Sequence, residues 1–462
     1  MSVAIPPDVT QMPAPATVGG RPLTPSSWEP HPSPRFWRGV GWSPAFIAFL
    51  VYIVVIVSYR LNVGTAAMIV TLTALVVEPG RRRLPVLVAG AVALFGWSVF
   101  GYSTTFYPEV VRAELIEFGK ICLVTFAAVN LLRTPRRLRF FILFYLAVFG
   151  LFPVRGALFN YFVYGQTEAG RIFGSFIFSN PNDLAAFLLL TLSLVAGIFA
   201  TEKLRWLRWS AIAGAATIPL IMVLSQSRGG FLGLITFVLM VLGQRHQRLR
   251  KLGILAVVSA LVLMLAPDTA WERLGTLRTP DAQLMEDRDE GSARQRWGIW
   301  RVANTIAVEN PVFGVGLGAY RQAHNEYSVR EEFDPFSRGL RDAHSTYLSL
   351  MAETGYLGFA FFTLLVLGTV IPAERTRRQA ARYFPQRAQQ LYYMEAGLLA
   401  YGVAGIFGSY GVIVFTYLHL ALIYAAAAML RRDLRRVRAW KQNVSYDSNP
   451  SLTPEAVERG AA

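Results

Sequence analysis

Apolar residues along this chain gather in blocks of roughly 15 to 25, divided by short polar segments, rather than recurring at the period of a soluble amphipathic helix. The blocks lie at 44–59, 62–77, 84–101, 115–132, 140–154, 184–200, 209–224, 229–242, 252–266, 347–371, 394–407 and 412–430. This pattern predicts an all-α polytopic membrane protein of about twelve transmembrane helices. Several blocks are shorter than the roughly 20 residues a crossing helix needs, so their helices must extend into the flanks or the bilayer must adapt. Two connections stand out for length, at 155–183 and 267–345. Long connections that are not low in complexity tend to carry function. The second shows helical periodicity over 293–309 and then a turn-rich stretch, PVFGVGLGAY, that ends any helix.

The expected organisation is a disordered tail at 1–43, nine spans within 44–266, a large partly helical extracytoplasmic loop at 267–345, three spans within 346–430, and a basic tail at 431–462. The first tail is rich in Pro, Ser and Thr and has no apolar core. It lacks the basic, apolar and small-residue order of a signal peptide, so the first span is expected to direct insertion. From about Lys441 onward the chain is polar, and it too is expected to be disordered.

The formal charge of +16 changes the picture only through its placement. Lys and Arg stand in short runs between the apolar blocks, which reads as membrane topology and a membrane-lipid environment rather than as nucleic-acid binding. Alternate connections are basic: Arg81 to Arg83, then Arg133 to Arg139, Lys203 to Arg208, Arg245 to Lys251, Arg375 to Arg387, and Arg431 to Arg438. Twelve spans with both termini cytoplasmic put every one of these runs inside, whereas one span more or fewer would misplace the later runs. The lone Cys122 excludes an intrachain disulfide, and five scattered histidines lack metal-ligand spacing, so no metal and no cofactor are expected.

Candidate chemistry clusters at the outer ends of the spans. Arg228, in SQSRGG, joins the seventh and eighth blocks. It is either a snorkelling residue at a turn bent by Gly229 and Gly230, or an anion clamp, since guanidinium matches phosphate oxygens in a bidentate fork. Arg171 precedes Asn180, Pro181, Asn182 and Asp183 at the sixth span. Helix capping accounts for Asn182 and Asp183 but not for Arg171, which is a second candidate phosphate contact. Within 293–309, Arg294 and Arg301 flank Arg296, which shares a helix face with Trp300 one turn on; an interfacial basic helix is the plain alternative. His344 opens the tenth span, either as a helix-end residue or as a proton acceptor with an ordinary pKa near 6.5. Glu353, nine residues on, is a buried functional carboxylate or an interhelical contact. Tyr320, Arg321 and His324 either meet a substrate or fill the loop. Walker A, Rossmann and zinc-type patterns are missing, as is an acidic pair to hold a metal at a sugar nucleotide.

Taken together and in order, RIFGSFIFSNPND, SQSRGG, RQRWGIW followed by ENPVFGVGLGAY, and HSTYLSLMAETGYLG resemble the O-antigen ligase and polysaccharide polymerase family of bacterial envelope glycosyltransferases. The last string fits that family's pattern of His, a small polar residue, nine residues, and Gly-x-x-Gly. The resemblance covers 171–358 in detail. It implies a C-type glycosyltransferase-like fold in the cell inner membrane with its active site on the periplasmic face. It also implies transfer of a glycan from an undecaprenyl-diphosphate carrier to an acceptor glycan or lipid A core, inverting and without metal. On this resemblance Arg228, Arg296 and His344 are the catalytic candidates, and Arg171, Asn182, Arg294, Trp300, Tyr320 and Glu353 the substrate-binding ones. Two alternatives remain open: polymerase against ligase, and a transporter or flippase of lipid-linked sugar. No half-to-half similarity of the kind common in transporters is visible.

Overall fold

The computed structural model describes residues 37–58, 63–78, 81–244, 253 and 293–447. Its helices are α1 (Pro44–Ser58), α2 (Gly64–Val77), α3 (Val86–Gly101), α4 (Pro108–Leu131), α5 (Pro135–Val163), α6 (Pro181–Thr201), α7 (Arg205–Leu224) and α8 (Arg228–Gly243). After a gap in the described chain come α9 (Ala293–Glu309), α10 (Tyr320–Tyr327), α11 (Thr346–Ala380), α12 (Pro385–Ala404) and α13 (Val414–Asp447). Among the described residues there is no strand, only an isolated bridge between Glu168 and Arg171.

Every predicted block except 252–266, which lies outside the described residues, coincides with a helix. Five helices, α5, α6, α7, α11 and α13, are long and apolar enough to cross a membrane, while α1, α2, α3 and α8 are apolar but shorter. The predicted helix at 293–309 has the bounds of α9. Helix starts are set locally. Pro108, Pro135, Pro181 and Pro385 each stand in a first turn, where the missing N–H costs nothing.

Several helices outrun the apolar blocks, because a helix needs only its own hydrogen bonds to continue past the point where its side chains become polar. Thus α5 runs nine residues past the expected end at 154, through two π-helical stretches, Gly150–Val154 and Phe159–Val163. The first contains Pro153, which has no N–H for the regular ladder. Likewise α13 continues to Asp447, so the start of the basic tail, including Lys441 to Asp447, is helical and not the disordered segment expected.

Helix α6 is buried over most of its length, against α12, α7, α8 and α5. Small residues let these helices close up: a Cβ on Gly233 of α8 would stand 2.8 Å from the Ala400 carbonyl of α12. Phe149, Phe178, Phe187 and Phe415 interlock around it with ring centroids 5.1 to 5.7 Å apart.

Among the described residues, predicted basic connections meet at one end of the bundle; the run from Arg245 to Lys251 lies outside the described residues. Arg137 bonds the Val40 carbonyl at 3.1 Å, Arg83 and Asn130 exchange bonds, and Arg139 pairs with Glu202 at 2.5 Å. At the same end Arg387 pairs with Asp433 at 2.7 Å and Arg438 reaches Gln379. At the opposite end, α9, α10 and the connections after each form a second small core from Ile299, Val302, Ile306, Val315, Tyr320 and Phe333. That core is seated on Val111 of α4 and Ala352 of α11.

Candidate active site

Four helix ends meet where the sequence placed its suspicious charges. The turn between α7 and α8 is made by Gln226, which holds a left-handed φ of 52°. Gly229 and Gly230 are not the bend expected of them; they lie in the first turn of α8, capped by the Ser227 hydroxyl accepting from Gly230 N–H. Their lack of a side chain serves packing instead. A Cβ on Gly230 would stand 2.6 Å from Ala185 of α6, and one on Gly229 would stand 3.0 Å from Phe407. Arg228, half-buried, is the first residue of α8.

Arg171 ties this turn to α6. Its Nε donates to the Ser225 carbonyl and its Nη2 to the Asn182 side-chain oxygen, both at 2.8 Å, while Ile172 N–H donates to Leu224. The capping role expected of Asn182 and Asp183 falls to Asn180, whose side chain accepts from Asn182 N–H. Asn182 is thereby left to hold Arg171.

His344 sits just before α11 with a left-handed φ of 44°. Such backbone is unusual for a residue with a Cβ and clusters at functional sites. Both neighbours of His344 are fixed: the Ala343 carbonyl accepts from Trp300 Nε1 at 3.1 Å, and Ser345 is buried. Thr346 then binds the connection between α12 and α13, its N–H donating to Gly405 and its hydroxyl to Gly408 at 2.6 Å. From the same connection, Phe407 meets both Trp300, with ring centroids 6.1 Å apart, and the Arg228 turn at Gly229.

The face that α9 turns toward this point carries Arg296 and Trp300. Arg296 is half-buried and close enough to Tyr410 to act on it electrostatically. Arg294 faces elsewhere, exposed, pairing with Asp334 at 2.8 Å and lying over Phe336. The Asp334 carboxyl is held below its usual range first by the Phe336 N–H and then by Arg294. Arg228, Arg171, Asn182, Arg296, Trp300 and His344 are therefore gathered by contacts of their own or of adjacent residues, and Arg294 is not.

Tyr320 and Glu353 belong to the seat of the loop. The stretch from Gly314 to Gly318 has positive φ at Gly314, Gly316 and Gly318, and threads between α4 and α11. Val315 and Gly316 donate to the carbonyls of Ala352 and Glu353. The Glu353 carboxyl accepts from Gly318 and Tyr320 N–H and from Ser349, at the N-terminal end of α10. Gly355, with φ 69° and ψ 178°, breaks α11 where Val312 crosses it; an added Cβ would overlap the Val312 carbonyl. Tyr320 is buried, its hydroxyl donating to Ile299 at 3.3 Å. His324 is buried against the Gly339 carbonyl at 2.9 Å, and burial lowers its pKa. Arg321 pairs with Asp342 at 3.5 Å.

Below the site, between α11, α12 and α13, lies a cavity of about 160 Å³. Thr346, Gly405 and Tyr410 stand at its site end, and Phe362, Val366 and Leu398 line it deeper along the helices. Its walls are almost wholly apolar.

Residues 213–363 match the family model described as O-antigen ligase. This stretch, about a third of the chain, is similar to the O-antigen ligase family. The matched stretch contains Arg228, Arg296 and His344, while Arg171, Asn182 and Tyr410 lie outside it. No curated protein sequence matches the chain. The likeness to the O-antigen ligase model points toward a glycosyltransferase-like enzyme, and five described helices are long and apolar enough to cross a membrane. Sequence reasoning missed Tyr410, Thr346 and Phe407. For Tyr410 and Phe407 the signal was the glycine spacing of GIFGSYG, whose close packing shows where Gly411 abuts Leu350; for Thr346 it was its place in HSTYLSLMAETGYLG.

Proposed function

We propose that this chain, like the O-antigen ligases its central stretch resembles, transfers a glycan from an undecaprenyl-diphosphate carrier to an acceptor glycan or lipid A core, on the periplasmic face of the membrane. The observation that carries the reading is the meeting of the Arg228 turn, the His344 turn and the Arg296 face of α9 around Phe407 and Tyr410, beside an apolar cavity between spanning helices. The first isoprene units of a polyprenyl tail suit that cavity, and the diphosphate would then stand among guanidinium groups.

In the proposed step the acceptor hydroxyl oxygen bonds to the anomeric carbon as the bond from that carbon to the phosphate oxygen breaks. The diphosphate leaves with the electron pair, and Arg228 and Arg296 stabilise the charge that develops on it. His344 takes the hydroxyl proton and later returns it to solvent. A single displacement inverts the anomeric centre. Because arginines carry the phosphate charge, transfer should survive a chelator.

The test is transfer by purified protein in lipid discs, with a defined lipid-diphosphate glycan and a panel of acceptors. Glycosylated acceptor and free lipid diphosphate should form in equal amounts. Arg228→Ala and His344→Ala should abolish both products while the protein inserts at normal levels, and near-full activity in either variant would overturn the proposal. Arg228→Lys should also be strongly impaired, since a point charge does not reproduce the fork. Movement of the lipid-linked glycan across the membrane without any transfer would indicate a transporter. In a deletion strain, single repeats still joined to the acceptor would indicate a polymerase, and long chains stranded on the carrier a ligase.

A further inference from the structure

The residue that joins the two halves of this site is Tyr410. It is buried in the connection between α12 and α13, its ring stacked on Tyr401 with centroids 5.3 Å apart. Its hydroxyl reaches the Asn182 carbonyl at 3.3 Å and bonds the Asp183 carboxylate. Its N–H donates to the Thr346 hydroxyl at 2.8 Å, and that hydroxyl donates onward to Gly408. Asn182 holds Arg171, and Arg171 holds Ser225, three residues before Arg228; Thr346 is two residues after His344. A continuous hydrogen-bonded path therefore runs from the Arg228 turn through Arg171, Asn182, Tyr410 and Thr346 to the His344 turn.

We infer that Tyr410 is a positioning residue, which sets the spacing between the arginine that meets the leaving group and the histidine that meets the acceptor. Both turns need such a brace, because Gln226 and His344 hold left-handed backbone that relaxes unless the surroundings fix it. The path crosses four separate segments of the chain, so no single helix could supply the same constraint. Reactions that depend on two groups being placed together lose rate steeply when the placement shifts by about 1 Å. The inference rests on the roles proposed above for Arg228 and His344.

Tyr410→Phe keeps the ring and removes only the hydroxyl. In the purified transfer assay it should lower kcat by about ten-fold or more while changing the KM for the lipid-diphosphate glycan by less than about two-fold. Thr346→Val should do the same, Thr346→Ser should restore most of the rate, and Tyr410→Phe with Thr346→Val should cost no more than either alone, because both cut one path. A Tyr410→Phe enzyme with unchanged kcat per folded molecule overturns the inference, as does failure of Thr346→Ser to surpass Thr346→Val. His344→Ala and Arg228→Ala run alongside separate the two ideas. If they are inactive while Tyr410→Phe is normal, only the brace is wrong; if they are active, the underlying reading is wrong.

Discussion

Gln226 and His344 hold a conformation that costs a residue with a Cβ of order 1 kcal/mol or more, and each lies at a candidate catalytic turn. Gly355 occupies a region open almost only to glycine, so Gly355→Ala should destabilise the protein by about 2 kcal/mol or more, read as a lowered thermal midpoint. Asn180→Ala should cost about 1 kcal/mol through loss of the α6 cap, and should also slacken Asn182 and so the hold on Arg171. Arg228 and Arg171 were legible because a charge beside an apolar block demands a reason. Tyr410 was not, because a tyrosine between glycines at a helix end is ordinary. Its weight comes from Asn182, more than two hundred residues away in the chain.

Among the elements, α9 was legible to the residue because its apolar positions follow one helical face. The π-helical stretches of α5 were not, since nothing but Pro153 marks them. Sequence offers Glu353 as a possible substrate contact, and in the structure its carboxyl bonds Gly318, Tyr320 and Ser349. Glu353→Ala should therefore free the glycine strap and α10, raising hydrogen exchange over 314–327 before it affects the rest. Helix α10 also has a pH dependence. Burial lowers the pKa of His324 in the folded protein below its ordinary value of about 6.5, so the unfolded segment takes up the proton first. The contribution of the neutral buried ring is complete above about pH 6.5 and is lost as pH falls through that value toward the lowered one. Protection of α10 relative to the intrinsic exchange rate at each pH should thus fall between pH 7 and pH 5, and His324→Gln should flatten that change.

For the whole molecule, the alternation of basic and basic-poor connections predicts which ends share a side, and among the described residues basic ends are tied to neighbouring connections through Arg83, Arg137, Arg139, Arg387 and Arg438. Cysteines introduced at Arg81 and Arg375 in a Cys122→Ser background should react with an impermeant maleimide only in inverted vesicles, and cysteines at Thr104 and Leu340 only in intact spheroplasts. Labelling of all four from one side would break the twelve-span topology. What periodicity could not reveal is how the ends interlock at the site, because hydrophobic blocks specify that helices span and not which neighbours they choose. That choice rests on small residues such as Gly230, Gly233 and Gly397, which read in sequence only as breaks in hydrophobicity.

The division of labour between arginine and histidine is tested most directly by measuring binding of the lipid diphosphate and rate of glycan transfer in one preparation, for the parent protein, Arg228→Ala and His344→Ala. The expected result is that Arg228→Ala loses both binding and transfer, while His344→Ala binds the lipid diphosphate normally and transfers nothing. Normal binding by Arg228→Ala, or transfer by His344→Ala, would contradict a diphosphate held by guanidinium beside an imidazole that receives the proton.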